Sequence, residues 1–300
     1  MELMVQQLVN GLFLGSIYAL MALGYTMVYG IINLINFAHG EVYMIGSFIG
    51  YFLIQSFNAW QILPNAWGFF TALLISMVVC AILGIVIEFL AYRPLRKSTR
   101  ISALITAIGV SYLLQNVMIY FFSPDSRPYP QSIARKTFSL GVVDISNIQL
   151  LILAVSVTLM ILLQVIIKKT KMGKAMRAVS VDNDAARLMG INVNRTISFT
   201  FALGSSLAAA GGMLIGLYYN SIDPMMGVAP GLKSFVAAVL GGIGVIPGAA
   251  LGGFVIGLIE TMATAFGFSD YKDALVYLVL IIILLVRPAG ILGKNIKEKV

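Results

Sequence analysis

The chain has 300 residues, of which 59% are hydrophobic and 11% charged, with a formal net charge of +8 and a mean hydropathy of +0.94. A soluble domain is about half apolar and about a quarter charged, so this composition excludes the soluble globular class and selects an integral membrane protein built as one bundle. The basic excess does not indicate nucleic acid, because the lysines and arginines sit in short connections between apolar runs, as the positive-inside rule describes.

In chain order, Met1 to Gln7 carries Glu2 and no basic residue, which argues against a cleavable signal. The first apolar run, about Val5 to Tyr29, is therefore expected to remain as a helix long enough for a hydrocarbon core of roughly 30 Å. Its small residues (Gly11, Gly15, Ser16, Ala19, Ala22, Gly24) recur near helical spacing and favour close helix contact. The stretch Asn33–Gly46 then interrupts the apolar pattern with Asn33, Asn36, Glu41 and His39, the only histidine in the chain. After it, Val42 to Ile54 reads as a shorter second segment, and Asn58 to Trp67 as an interfacial loop holding Trp60, Pro64 and Trp67. A third run, Phe69 to Ala91, contains Glu88 and ends in the basic cluster Arg93, Arg96, Lys97 and Arg100. The fourth, Ile101 to Phe122, exits into a Pro-rich external loop with room for a little strand. The fifth, Ile148 to Ile167, leads to a long polar connection, Lys168–Arg195. Behind the basic front of that connection, Ser180 to Asp184 supplies capping groups ahead of AARLMG, and Gly190 supplies a helix end. The result is a short amphipathic helix exposing Ala185, Leu188 and Met189 beside Arg187, and a helix so short wants a partner surface. The sixth run, Ile197 to Tyr219, precedes a second interruption, Ile222–Val239, in which Pro230 suits a first helical turn. GGIGVIPG turns the chain, Ala249 to Phe266 crosses again, and Ala274 to Val286 ends in a basic tail with Lys294, Lys297 and Lys299. Cys80 lies in an apolar run and reads as a packing residue.

The two interruptions are related. Aligning FAHG (Phe37–Gly40) with VAPG (Val228–Gly231) brings the preceding small-residue helices nearly into register, and paired interrupted segments point to a transporter with internal repeats. The expected architecture is all-α: a polytopic bundle of about 8–10 transmembrane helices, near nine, with inverted repeat-like halves over about 5–122 and 196–288 in a single membrane domain, and a cytoplasmic connection over 168–195. Placing that connection, the Arg93 loop and the tail in the cytoplasm collects 15 of the 20 basic residues there. Counting back from the tail puts the amino terminus outside if the two short segments, after each interruption, both span. Each interruption can also be read as a capped turn between ordinary spanning helices.

The opening NGLFLGSIYALMALGYTMVYGIINLINFAHGEVYMIGSF, the connection GKAMRAVSVDNDAARLMGINV and the segment DPMMGVAPGLKSFVAAVLGGIGVIPGAALGG resemble the bacterial branched-chain amino acid ABC transporter permeases, the shorter of that system's two permease proteins in particular. The resemblance covers nearly the whole chain. It implies an inner-membrane subunit that imports leucine, isoleucine and valine, paired in a heterodimer with a second related permease. It further implies two cytoplasmic ATPase subunits that bind ATP and Mg, and a periplasmic substrate-binding protein. No cofactor or metal is expected on this chain, which lacks a GxxxxGK[ST] loop, and no catalytic residue is assigned. Asp182, Asn183, Asp184, Ala185, Ala186, Arg187, Leu188, Met189 and Gly190 match the family's coupling loop, which docks on the ATPase. The candidate pathway comprises Asn33, Asn36, Phe37, His39, Gly40, Glu41, Asp223, Gly227, Gly231 and Lys233, with the amino-terminal end of the Pro230 helix facing a substrate carboxylate. Relatives that carry other amino acids, amides or urea keep the substrate open. An ion-coupled carrier using Glu41, Glu88, Glu260 or His39 is the alternative class, while no run shows the polar stripe of a channel.

Overall fold

The computed structural model describes every residue except 1, 33, 62–65, 97, 140, 142 and 294–300. The expected positions Asn33, Pro64, Lys97, Lys294, Lys297 and Lys299 lie outside the described residues. Among the described residues, eleven α-helices follow in chain order: α1 (Glu2–Ile32), α2 (His39–Trp60), α3 (Ala66–Ile87), α4 (Arg100–Phe122), α5 (Asn147–Lys169), α6 (Lys171–Val181), α7 (Asn183–Leu188), α8 (Val193–Tyr219), α9 (Val228–Gly241), α10 (Ile246–Ala265) and α11 (Lys272–Val286). A π-helical turn, Glu88–Tyr92, extends α3. Four short strands, β1 (Arg127–Pro128), β2 (Thr137–Ser139), β3 (Asp144–Ser146) and β4 (Ser221–Ile222), form two antiparallel pairs, β1 with β4 and β2 with β3. Seven helices among the described residues are long and apolar enough to cross a membrane, and α9 is a shorter apolar helix. With α11, only 15 residues long, the apolar helices approach the expected count. The second segment is longer than the sequence suggested: α2 starts at His39 and runs 22 residues, so Asn58 and Trp60 belong to α2 and Trp67 to α3.

Lipid tails are as apolar as leucine, so helices in a membrane associate through close packing rather than through exclusion of water. The small residues of α1 serve that purpose. A Cβ on Gly15 would lie 2.7 Å from Phe254 Cα of α10, and one on Gly11 would lie 2.9 Å from Leu258 Cδ2. On α8, Gly212 lies against the Tyr43 carbonyl of α2, and a Cβ on Gly84 of α3 would lie 2.9 Å from the Phe201 carbonyl of α8. Consequently α1 and α8 are central, with 94% and 83% of their most apolar stretches buried, against 17% for α4 and 22% for α5 at the periphery. α1 packs most on α10, as α8 does on α3, and α2 lies against α8 as α9 does against α1.

The two ends of the bundle differ in chemistry. At one end Gln6 of α1 exchanges hydrogen bonds with the Asp144 backbone (2.9 and 2.8 Å), Gln149 donates to Asn10 (2.9 Å), and Arg127 pairs with Ile222. At the other end the Arg93 loop, α6, α7 and the start of α8 gather beside Ile32 of α1. The start of α1 is thus at the end opposite the basic loops. Five helices that begin near the ends of the bundle are capped by side chains: Thr99 for α4, Ser146 for α5, Thr170 for α6, Asp182 for α7 and Asn192 for α8. α2 and α9 begin without a side-chain cap, as do α10 and α11, which leaves their first N–H groups to other partners.

Candidate functional site

The first interruption lies inside the bundle. Asn36, Ala38, His39 and Glu41 are all 3% exposed or less, and a Cβ on Gly24 would lie 2.5 Å from the His39 ring. Gly24 precedes the end of α1 by eight residues, about 12 Å of helix at 1.5 Å per residue. The chain therefore turns back along α1 before α2 starts. The second interruption meets it there. Gly40 and Gly231, the residues aligned by FAHG and VAPG, pack on each other, since a Cβ on Gly231 would lie 3.1 Å from Gly40 Cα. A Cβ on Gly227 would lie 3.1 Å from Glu41 Oε2. Only residues without a side chain allow backbones this close.

Beside this crossing lies a cavity of about 260 Å³ between the starts of α2 and α9 and the middle of α4. Of the candidate pathway residues, it brings together Phe37, Gly40, Glu41, Gly227 and Gly231. Glu41 Oε1 accepts a hydrogen bond from the Ser111 hydroxyl (3.2 Å), while Oε2 is buried with no protein partner. The remaining candidates lie elsewhere. Asn36 Oδ1 accepts from the Tyr92 hydroxyl (3.0 Å), and His39 stands edge-on to Tyr25, ring centroids 4.6 Å apart. Asp223 accepts from the Met225 N–H (2.8 Å) and holds the turn before α9. Lys233 points into the opposite side of α9, where its ammonium is 2.8 Å from Glu260 and 2.7 Å from Asp273. Glu260 also accepts from the Tyr18 hydroxyl (2.7 Å). α9 is tied by this cluster to α1, α10 and α11.

Sequence reading missed the contribution of α4, whose Ser111 and Gln115 both line the cavity. Their i, i+4 spacing in an apolar run was the available signal. It also missed the hub at the basic end. Glu88, fully buried, pairs with Arg93 (3.2 Å) and with Arg96, and accepts from Ser198 of α8 (2.6 Å), while Arg96 donates to Asn194 (2.6 Å). The Arg93 loop is thereby fixed to α8.

The long connection holds two helices rather than one. Its basic front forms α6. The expected amphipathic helix is α7, capped by Asp182, whose carboxyl is held below its ordinary range by the Ala185 and Asp184 N–H groups. Gly190, with φ +79°, ends the segment. Ala185, Arg187, Leu188 and Met189 are exposed, Leu188 at 89%, whereas Ala186 is buried and anchors α7 instead of presenting a contact. Asp184 and Arg187 form an exposed pair 3.5 Å apart, worth at most about 1 kcal/mol. A groove of about 640 Å³ separates α7 from the Arg93 loop, with Asn183, Asp184 and Arg187 on one wall and Arg93 and Arg96 on the other.

A family model described as "Branched-chain amino acid transport system / permease component" matches residues 7–284. The chain belongs to this family. Across 99% of its length it is 43% identical to the high-affinity branched-chain amino acid transport system permease protein LivH of Escherichia coli, covering 97% of that protein. It is 45% identical to BraD of Pseudomonas aeruginosa, covering 99% of this chain and 98% of BraD. A probable LivH of Methanocaldococcus jannaschii is 29% identical over 94% of the chain. Family membership and the seven long apolar helices together make the chain a multi-pass membrane permease component. No group of three or more His, Cys, Asp or Glu able to hold a metal occurs among the described residues.

Proposed function

We propose that this chain is a membrane permease subunit of an ATP-driven importer of leucine, isoleucine and valine in the bacterial inner membrane. The observation that carries the reading is the 43–45% identity to LivH and BraD over nearly the whole chain. In this reading a second related permease completes the pathway, two cytoplasmic ATPase subunits bind ATP and Mg, and a periplasmic binding protein delivers the substrate. The basic end faces the cytoplasm, so α7 presents Leu188 and Met189 to an ATPase. ATP turnover biases two states only through contacts that differ between them, and α7 is the element placed to make them. The halves 5–122 and 196–288 act as inverted repeats, which the matched packing of α1 on α10 and α8 on α3 supports. Substrate passes the crossing of the two interruptions, where the uncapped start of α9 offers partial positive charge to a carboxylate. The cavity has Ile108, Tyr112, Val228 and Leu232 at its open side, each more than a third exposed, and the second permease closes that side.

Affinity purification of the tagged chain from native membranes tests the assignment. An importer brings down ATPase subunits and a second permease in fixed ratio. A chain recovered alone, with transport driven by an ion gradient, would establish the carrier class instead.

A further inference from the structure

Glu41 is the one carboxylate in the wall of the α2–α4–α9 cavity, and no lysine or arginine lines that cavity among the described residues. Its residue is 2% exposed, one oxygen is engaged by Ser111, and the other has no protein partner. A buried acceptor left unpaired costs about 1–3 kcal/mol, more when charged, so an orphan of this kind calls for an explanation. Lys233 does not supply one, because Glu260 and Asp273 hold it on the far side of α9. The free oxygen lies within the glycine crossing, as the 3.1 Å approach to the Cβ position of Gly227 shows. Any larger residue at position 227 would occupy the space beside that oxygen. The cavity, about 260 Å³, is below the range of about 300–1,000 Å³ that holds drug-sized ligands. It suits a solute of a few heavy atoms with an apolar side.

We propose that Glu41 is the subsite for the primary ammonium group of a passing amino acid, with the Ser111 hydroxyl orienting the carboxylate from α4. This rests on the transport reading above and adds to it a recognition group on the permease itself. The ammonium donates to the free Glu41 oxygen, which completes the pairing of that buried acceptor. The aliphatic side chain then lies toward Ile108, Val228 and Leu232, and the substrate carboxylate toward the start of α9. Anions and uncharged solutes of the same size lack the positive charge and are disfavoured at the crossing.

The test uses the assembled transporter with Cys80→Ala and Ser111→Cys, so that the introduced thiol stands beside Glu41. Rates of modification by a methanethiosulfonate bearing an ammonium and one bearing a sulfonate are compared. Their ratio is referred to that for a free, uncharged small thiol, 2-mercaptoethanol, in the same buffer. The expected ratio favours the cation by about 10- to 100-fold, the weight of one charged hydrogen bond, and leucine slows the reaction. With Glu41→Gln added, both the preference and the protection by leucine disappear, while co-purifying subunits stay bound. No cation preference, a preference that survives Glu41→Gln, or a thiol closed to both reagents by a partner side chain would each overturn the proposal. Leucine uptake by the unmodified complex is read separately: its absence sinks the transport assignment, whereas its presence with an unselective thiol at position 111 sinks the Glu41 subsite alone.

Discussion

Glu88→Gln is the most informative single perturbation at the basic end. The carboxylate is completely buried and joins Arg93, Arg96 and Ser198, so it links the Arg93 loop to the start of α8. Removing one partner of a buried pair costs about 3–5 kcal/mol, while an exposed pair is worth about 0–1 kcal/mol. The arginine side chains are 33% and 17% exposed, so both regain some water once released. An intermediate loss of about 2 kcal/mol follows from these bounds, equivalent to about 30-fold in a local opening equilibrium. Amide hydrogen exchange reads it directly. The Leu95 and Ser98 N–H groups, bonded to the Tyr92 and Leu95 carbonyls at 3.1 and 3.0 Å, should exchange about 30-fold faster. The Ser123 amide at the opposite end, bonded to Ile119, should be unchanged. Unaltered exchange at Leu95 and Ser98 would refute the role of Glu88 as the anchor of the loop.

Three further outcomes are expected. Gly257→Val drives a branched side chain into the backbone of Gly15 across the α1–α10 seam; overpacking of about 1–3 kcal/mol or more should appear as reduced yield of monodisperse protein in size-exclusion chromatography, which Gly109→Val, in open space, should not show. Leu188→Glu, on a side chain 89% exposed, should leave insertion and thermal stability intact while uncoupling ATP hydrolysis from substrate, measured as loss of substrate-stimulated ATPase in the assembled complex. Lys233→Met leaves Glu260 with only the Tyr18 hydroxyl (2.7 Å) and the part-exposed Lys272 (3.3 Å) and should destabilise the protein by about 1.5–3 kcal/mol, the weight of a hydrogen bond to a charged group, whereas Lys233→Met with Glu260→Gln should recover much of the loss, compared by thermal unfolding in detergent.

What the sequence disclosed follows from which forces act locally. The ends of α4 and α5 agree with the sequence reading to within a residue or two, because a charge or a proline-rich loop marks each end of a long apolar run. The Pro230 helix and the Asp182 cap were likewise legible, since proline geometry and capping act within a few residues. α2 starts earlier than the apolar pattern suggests because His39, Gly40 and Glu41, polar or small by composition, are inside the helix and packed against distant neighbours: Tyr25 on His39, Gly231 on Gly40 and Ser111 on one oxygen of Glu41. That packing is tertiary. The same holds for Lys233, whose partners Glu260 and Asp273 lie on other helices, and for Glu88, whose π turn brings Arg93 within reach five residues on. The apposition of Gly40 with Gly231 was only hinted at by the FAHG and VAPG alignment, and the Ser111 wall of the cavity depends on the packing of α4.

Leucine uptake by the reconstituted complex is the most direct test of the account. Proteoliposomes holding this chain with its partner permease and ATPase subunits, ATP trapped inside and binding protein outside, should accumulate leucine, isoleucine and valine. Omitting either ATP or the binding protein should abolish accumulation. Accumulation driven by an ion gradient without ATP, or no accumulation of any of the three amino acids by the intact complex, would contradict it.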